Sequence, residues 1–349
     1  MKFRAAILGQ LRPDVRVATG QERHSGLPLC VAWSMGSHAK SYLARTAFLP
    51  GYEERNLGRA WFWRLEEFVR SQAPECTLVF IEAHEAQVRL MGGCRYFSVP
   101  AWVWGDMDVP IGASVARETK RQEGYRIRKY QLQVDVTRDP EKVRHFHQEM
   151  YVPTTLESHG DGAYLIGLNT LHHWLENGDL LMVRNAEQEI GGMVLSYDGG
   201  NPLTAFPGVL RADRRFLQQG AMGALYLCCV ERAAAKGYRK LNLGRSRPFL
   251  LDGVMQYKKK LGHRIVSATS TDYALRVLKL SGGAVEFLRN NPFIYRSGMG
   301  LCGATFTSAG DGAMTMGLYP GLEKMVEYRV AEGQTDVYPK GGPSKAARG

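Results

Sequence analysis

Between Lys240 and Gly262 the sequence brings cations, a hydroxyl, a phenol and glycines into one strand-to-helix passage. The short apolar strand Lys240-Leu241-Asn242-Leu243-Gly244 leads into Arg245-Ser246-Arg247-Pro248. A helix pattern then runs from Asp252 through Tyr257-Lys258-Lys259-Lys260 to Gly262. Such junctions collect anionic ligands, because backbone N–H groups and helix dipoles point there. Arg245 and Ser246, directly after the strand, can hold a phosphate or a carboxylate. Asp252 reads as the N-cap of the following helix rather than as a base. A bland reading stands beside the chemical one: Tyr257 suits an amphipathic packing face, and the three lysines suit a solvated helix end, where cations favour the macrodipole.

Other candidates are scattered. His159 sits in a Gly-flanked polar segment and can reach a substrate, though a lone loop histidine is commonly unremarkable. His145 and His147 stand two apart on a helix and face different ways, and His172-His173 fails the same test, so no metal site is expected. Glu149 and Glu157 are candidate bases that nothing separates from surface carboxylates. The six cysteines, Cys30, Cys76, Cys94, Cys228, Cys229 and Cys302, contain no C-x-x-C pair. They read as reduced thiols, with Cys228 and Cys229 in a helix core. The formal charge of +11 favours anionic partners: phosphates, a nucleotide-linked substrate, RNA or a membrane surface. Its cations cluster at Lys120-Arg121, Arg126 to Lys129, Arg211 with Arg214-Arg215, Arg245 with Arg247, and Lys258 to Lys260.

The elements that position these residues follow from pattern. The 349 residues suffice for two domains of roughly 100–200 residues each. No apolar run reaches the ~18 residues of a membrane span, and the N-terminal apolar run is too short for a signal peptide, so a cytoplasmic location is expected. Thr77 to Glu82 reads as a strand and Arg59 to Arg70 as a helix. Residues 112–123 read as a charged helix broken at Gly124, and 125–136 as a strand. Asp139 and Pro140 start a helix running to about Tyr151. Pro153 and His159 to Gly162 read as loop, and Tyr164 to Glu176 as helix. Strands are expected over 180–184, 190–197 and 203–210, with polar turns that suit antiparallel hairpins. A long helix from Gly220 to Lys236 precedes the 240–244 strand. His263 to Thr271 reads as one more strand, 284–289 as a helix, and 333–349 as a disordered basic tail. The order is α+β rather than strictly alternating.

That order resembles the GNAT acyltransferase fold, nearest the Fem-type peptidyltransferases and their two-domain relatives. The resemblance is carried by Arg117, Lys120 and Arg121 before a strand and helix; by Glu149-Met150-Tyr151 with Pro153 and His159-Gly160; and by Gly191-Gly192. It is completed by Ala224-Leu225-Tyr226, Ala233 to Gly237, Leu243-Gly244-Arg245-Ser246, Asp252-Gly253, Tyr257-Lys258 and Leu261-Gly262. It covers residues 110 to 270 and fades on either side. It implies tandem GNAT-like domains with mixed, mostly antiparallel sheets flanked by helices: an N-terminal domain over 1–125, a catalytic domain over 126–332, and the tail.

The resemblance also implies an N-acyltransferase joining an activated acyl donor to an amine. It makes Lys258 the cation for a tetrahedral oxyanion or a phosphate, and Tyr257 the proton donor to a leaving thiolate. Acyl-CoA would lie on Gln218, Gln219, Gly220, Ala221 and Gly223. The family's Gln/Arg-x-x-Gly-x-Gly/Ala spacing is off here, with Leu217 three residues before Gly220 and Met222 where a small residue belongs. Arg245, Ser246, His159, Tyr151 and Arg211 would bind the acceptor, a small-molecule or nucleotide-linked amine. Acyl-CoA and aminoacyl-tRNA both remain as donors, CoA slightly ahead because the family's long coiled-coil arm is missing. A different class, a non-catalytic RNA- or phosphate-binding module on the same scaffold, also fits the basic clusters.

Overall fold

The computed structural model describes residues 11–90, 96–111, 113–160, 163–309 and 316–339. Two compact units emerge. One is built from described residues of Met1–Val103, Arg247–Met255 and Ala268–Gly349, the other from Trp104–Ser246 and Gln256–Ser267. Both are α+β, with mixed, mostly antiparallel sheets flanked by helices.

The first unit holds a six-stranded sheet in the order 53–59, 14–21, 28–34, 78–84, 271–277, 97–100, and a four-stranded sheet of 293–297, 300–307, 325–329 and 338–339. In the larger sheet the 28–34 and 78–84 strands pair in parallel; the other neighbours are antiparallel. Its core includes Trp33, Phe80, Phe287, Phe293 and Phe306.

The second unit carries the site. Its elements are β1 (Val103–Asp108), α1 (Ala113–Lys129), β2 (Gln133–Thr137), α2 (Pro140–His145), a π-helical turn (Phe146–Tyr151), α3 (Val152–His159), α4 (Leu168–Glu176), β3 (Gly178–Arg184), β4 (Glu189–Ser196), β5 (Leu203–Val209), α5 (Arg214–Gln219), α6 (Ala221–Ala235), β6 (Lys240–Ser246), α7 (Gly253–Lys260) and β7 (Arg264–Ala268). The seven strands form one sheet in the order β7-β1-β6-β5-β4-β3-β2. From β2 to β5 every neighbour is antiparallel, and β5 meets β6 in parallel.

Helices cover both faces of this sheet, so its central strands are apolar on both. Leu181 and Val183 of β3 join Met193, Leu225 and Cys229 on one face. Leu180 and Met182 join Val143, Phe146, Met150 and Leu171 on the other. The long helix α6 is rich in Ala and Leu, strong helix formers. It ends in a Schellman motif: Tyr238 N–H donates to the Ala233 carbonyl at 3.0 Å and Gly237 N–H to that of Ala234 at 2.9 Å, with Gly237 at φ +81°.

Several boundaries differ from the sequence reading. Helix α1 runs unbroken through Gly124 and across residues 125 and 126, where the domain cut was expected. A glycine inside a helix costs only ~1 kcal/mol relative to alanine, which tertiary packing overrides. The strand expected over 125–136 shrinks to β2, after a turn at Gln131 with φ +51°. The helix expected to stop at Tyr151 continues through the π-turn into α3. The strand expected over 263–271 is two strands, β7 and 271–277, in different sheets. Residues 333–339, expected in a disordered tail, are held: Leu280 N–H donates to the Gln334 carbonyl at 2.7 Å and Arg276 pairs with Asp336 at 2.9 Å. Residues 340–349 lie outside the described residues.

Candidate functional site

Parallel strands β5 and β6 are paired at a single position, Leu203 with Asn242. Beyond it β5 bulges between Ala205 and Gly208, and Phe206 takes φ +52°. Arg211 and Ala212 follow at φ +51° and +56°. Left-handed backbone in non-glycine residues costs roughly 1–3 kcal/mol each and collects at functional sites. The bulged half is supported from outside. A Cβ at Gly208 would stand 2.6 Å from the Met150 carbonyl carbon, so only glycine lets the π-turn approach. Thr154 Oγ1 accepts from Val209 N–H at 2.9 Å.

Lys258 is buried and donates from Nζ to the carbonyls of Arg245 at 2.9 Å and Gly244 at 3.3 Å, and to Ser246 Oγ at 3.0 Å. Its ammonium therefore binds α7 to the end of β6. Gly244 has φ +72°, and its N–H donates to Asn242 Oδ1 at 2.8 Å. His263 is fully buried against Gly105, where a Cβ would stand 2.0 Å from Nε2. Burial, then the Lys258 charge, push its imidazole down to about 3.

Tyr257, the next residue on α7, faces different surroundings. Its ring lies 5.9 Å from that of Tyr226 on α6. The Tyr257 hydroxyl is buried and has no hydrogen-bond partner among the described residues. Burial first, and the Glu123 carboxylate second, push the phenol well above its usual range, so it carries its proton at neutral pH.

Glu123, which the sequence reading did not single out, reaches from α1 to the start of α6. A Cβ at Gly223 would stand 2.1 Å from Glu123 Oε2, and one at Gly220 3.4 Å from the same atom. Oε1 accepts from Arg126 Nη1 at 2.9 Å, while Oε2 is buried without a partner among the described residues, as is Gln219 Oε1. Burial raises the Glu123 carboxyl despite the opposing Arg126 and Lys260 charges. The available signal was the pair of glycines three apart on the first turn of α6. Bare positions at that spacing make room for a neighbour.

The expected cofactor residues thus fall differently. Gln218 and Gln219 belong to α5, a helix where a loop was expected, joined to α6 through Gly220 at φ +98°. Ala221 is buried in the core, and Gly223 meets Glu123. Among the expected substrate residues, Ser246 and the Arg245 carbonyl join Lys258. The Arg245 guanidinium lies 5.6 Å from the centre of the Trp104 ring. The Tyr151 hydroxyl accepts from Ile166 N–H at 3.2 Å and lies 3.4 Å from the Tyr164 carbonyl, holding that loop. Arg211 is exposed and pairs with Glu149 at 3.4 Å. The His159 side chain lies outside the described residues. Asp252 is an N-cap, accepting from Val254 and Met255 N–H groups at 3.0 and 3.2 Å.

A groove of about 460 Å³ runs along α1. Arg121, Arg126, Arg128 and Lys129 line it with Tyr125 and Tyr130, and among the described residues no acidic side chain does. Lys129 Nζ stands 5.2 Å over the Tyr130 ring. Among the described residues no helix is long and apolar enough to cross a membrane, and no group of three His, Cys, Asp or Glu side chains is placed to hold a metal ion.

No family model matches the sequence, and no curated protein matches it. Solved structures similar to the chain include L-PGS from Bacillus licheniformis, at 12% identity over 77% of this chain and 86% of that one, with a TM-score of 0.38. FemX is similar at 10% identity over 75% and 88%, with a TM-score of 0.38. A GCN5-related N-acetyltransferase from Sphaerobacter thermophilus is similar at 11% over 74% and 75%, with a TM-score of 0.35. The likeness is distant in each case and says nothing about donor or acceptor.

Proposed function

We propose that the chain is an acyltransferase that forms an amide, with its reaction centre at the seam where β5 and β6 part. The observation that supports this most is the single-pair contact between the two strands, with the buried Lys258 ammonium held at the end of β6. Strand edges left unpaired offer backbone donors and acceptors to an extended substrate. An acyl chain laid between β5 and β6 would be aligned by those groups, and alignment lowers the barrier to a two-substrate transfer. Tyr257 would give its proton to the departing group as the tetrahedral intermediate collapses and would be reprotonated by the proton that the attacking amine loses. Lys258 acts as a positioning residue: it fixes the Gly244 and Arg245 carbonyls and sets a positive charge at the seam, where it favours developing negative charge.

The residues present do not fit acyl-CoA in the way the resemblance implied, because the start of α6 is filled by Glu123. A second reading of the donor, a charged tRNA, is favoured by the groove on α1, whose cations and tyrosines suit a phosphate backbone with exposed bases.

The test is product formation. Purified protein is incubated with isotope-labelled primary amines and, separately, acyl thioesters or aminoacyl-tRNA, and products are identified by mass spectrometry. The labelled amide is expected only with enzyme present. If no amide forms with any donor while the protein binds RNA with a steep salt dependence, the non-catalytic binding module replaces this reading.

A further inference from the structure

We propose that the anion seat at the start of α6 is occupied by the chain's own Glu123 carboxylate, which excludes the pyrophosphate of a coenzyme A donor from that position. Four observations carry the inference. First, the 15-residue helix α6 has no acidic residue in its first turn and no side-chain cap at Gly220, so its N-terminal partial charge is unanswered within its own segment. Second, the Glu123 carboxylate fills the space there from α1: it rests on Gly223 and beside Gly220, where a Cβ at Gly223 would collide with Oε2 and Cδ at 2.1 and 2.5 Å. Third, Glu123 is only 6% exposed, and Oε2 has no hydrogen-bond partner among the described residues. Fourth, α5 replaces the open loop on which a pyrophosphate would lie, and Leu217 stands where the resemblance expects Gln or Arg.

The glycines at 220 and 223, which in the sequence resemble a phosphate cradle, therefore serve an internal ligand. Gly220 also accommodates Arg126, whose Cβ would stand 3.0 Å from a Cβ at that position. Arg126 neutralises part of the Glu123 charge through Oε1. An incoming diphosphate would meet a carboxylate in the same space, so it must first expel Glu123 from a buried position. Burial raises the Glu123 carboxyl, which agrees with a group enclosed by protein rather than open to solvent.

Calorimetric titration of coenzyme A and inorganic pyrophosphate into the full-length wild type, Glu123→Gln and Glu123→Ala tests this. The wild type is expected to bind neither ligand at millimolar concentration. Glu123→Ala is expected to bind pyrophosphate about 10-fold more tightly than wild type, the scale of a helix-dipole interaction in a partly buried site. Glu123→Gln keeps the shape without the charge and is expected to fold as the wild type does and still bind neither. Micromolar binding of coenzyme A by the wild type overturns the inference, as does a Glu123→Ala protein that is folded but gains no pyrophosphate affinity. The inference rests on the fold rather than on amide formation. An inactive protein would leave it standing, and turnover of acyl-CoA by the wild type would overturn it while leaving the acyltransferase reading intact.

Discussion

Two buried polar regions sit at either end of one short stretch, and they are solved in opposite ways. At the end of β6 the Lys258 ammonium has three acceptors within 3.3 Å. At the start of α6 the Glu123 carboxylate has one oxygen paired with Arg126 and one without a partner, and the Tyr257 hydroxyl is likewise unanswered. Buried polar groups are almost always satisfied, and an exception calls for a role. The satisfied region reads as an anchor and the unsatisfied one as a place kept for chemistry or for exclusion. Tyr257 and Lys258, adjacent on α7, thereby acquire different jobs, which their sequence neighbourhood alone does not separate.

The largest effect is expected at the anchor. Lys258→Ala leaves buried carbonyls at the end of β6 without a donor, and such losses cost about 1–3 kcal/mol per group. A loss of about 3 kcal/mol or more in urea unfolding is predicted; a loss below about 1 kcal/mol would mean the three bonds are not holding the strand. Next comes Gly223→Ala, which drives a methyl into the Glu123 carboxylate and should cost about 2 kcal/mol by overpacking. In Glu123→Ala that cost should vanish, so the two changes must be non-additive in a double-mutant cycle. Additive values would place Glu123 away from the helix start.

His263 supplies a pH test of the anchor. The folded chain keeps this imidazole neutral down to about pH 3, whereas the unfolded chain protonates it near its ordinary value. Stability from this group is present above roughly pH 6.5 and falls as the pH drops through that window, by up to about 1.4 kcal/mol per unit. Denaturant melts across that range should lose this slope in His263→Gln. The smallest effect belongs to Glu123→Gln. The folded Glu123 carboxyl is raised, so the folded chain holds that proton to higher pH than the unfolded chain, and stability falls as pH rises between the two values. Removing the charge should flatten that slope and leave the protein equal to or up to about 1 kcal/mol more stable at pH 8.

Local patterns made much of this legible. Asp139 and Pro140 start α2 as a cap pair should, with Asp139 accepting from Glu141 N–H at 2.9 Å. Gly237 closes α6, and the antiparallel run from β3 to β5 follows its polar turns. What failed depended on tertiary contacts. Gly124 looks like a break only until α1 is seen packed, and Ser270 gives no sign that strands of two sheets meet there. The π-turn at 146–151 packs against Gly208, which lies far away in sequence. Glu123 lay unnoticed among its neighbouring cations, because its significance comes from two glycines a hundred residues later.

The most direct measurement is single-turnover amide formation by wild type and Tyr257→Phe, on protein shown to be equally folded. Loss of the hydroxyl removes no hydrogen bond found among the described residues, so the melting temperature should hold. The rate should fall about 100-fold or more, the contribution of a general acid. Equal rates for the two proteins would contradict the assignment of proton transfer to Tyr257 and, with it, of the reaction centre to the seam between β5 and β6.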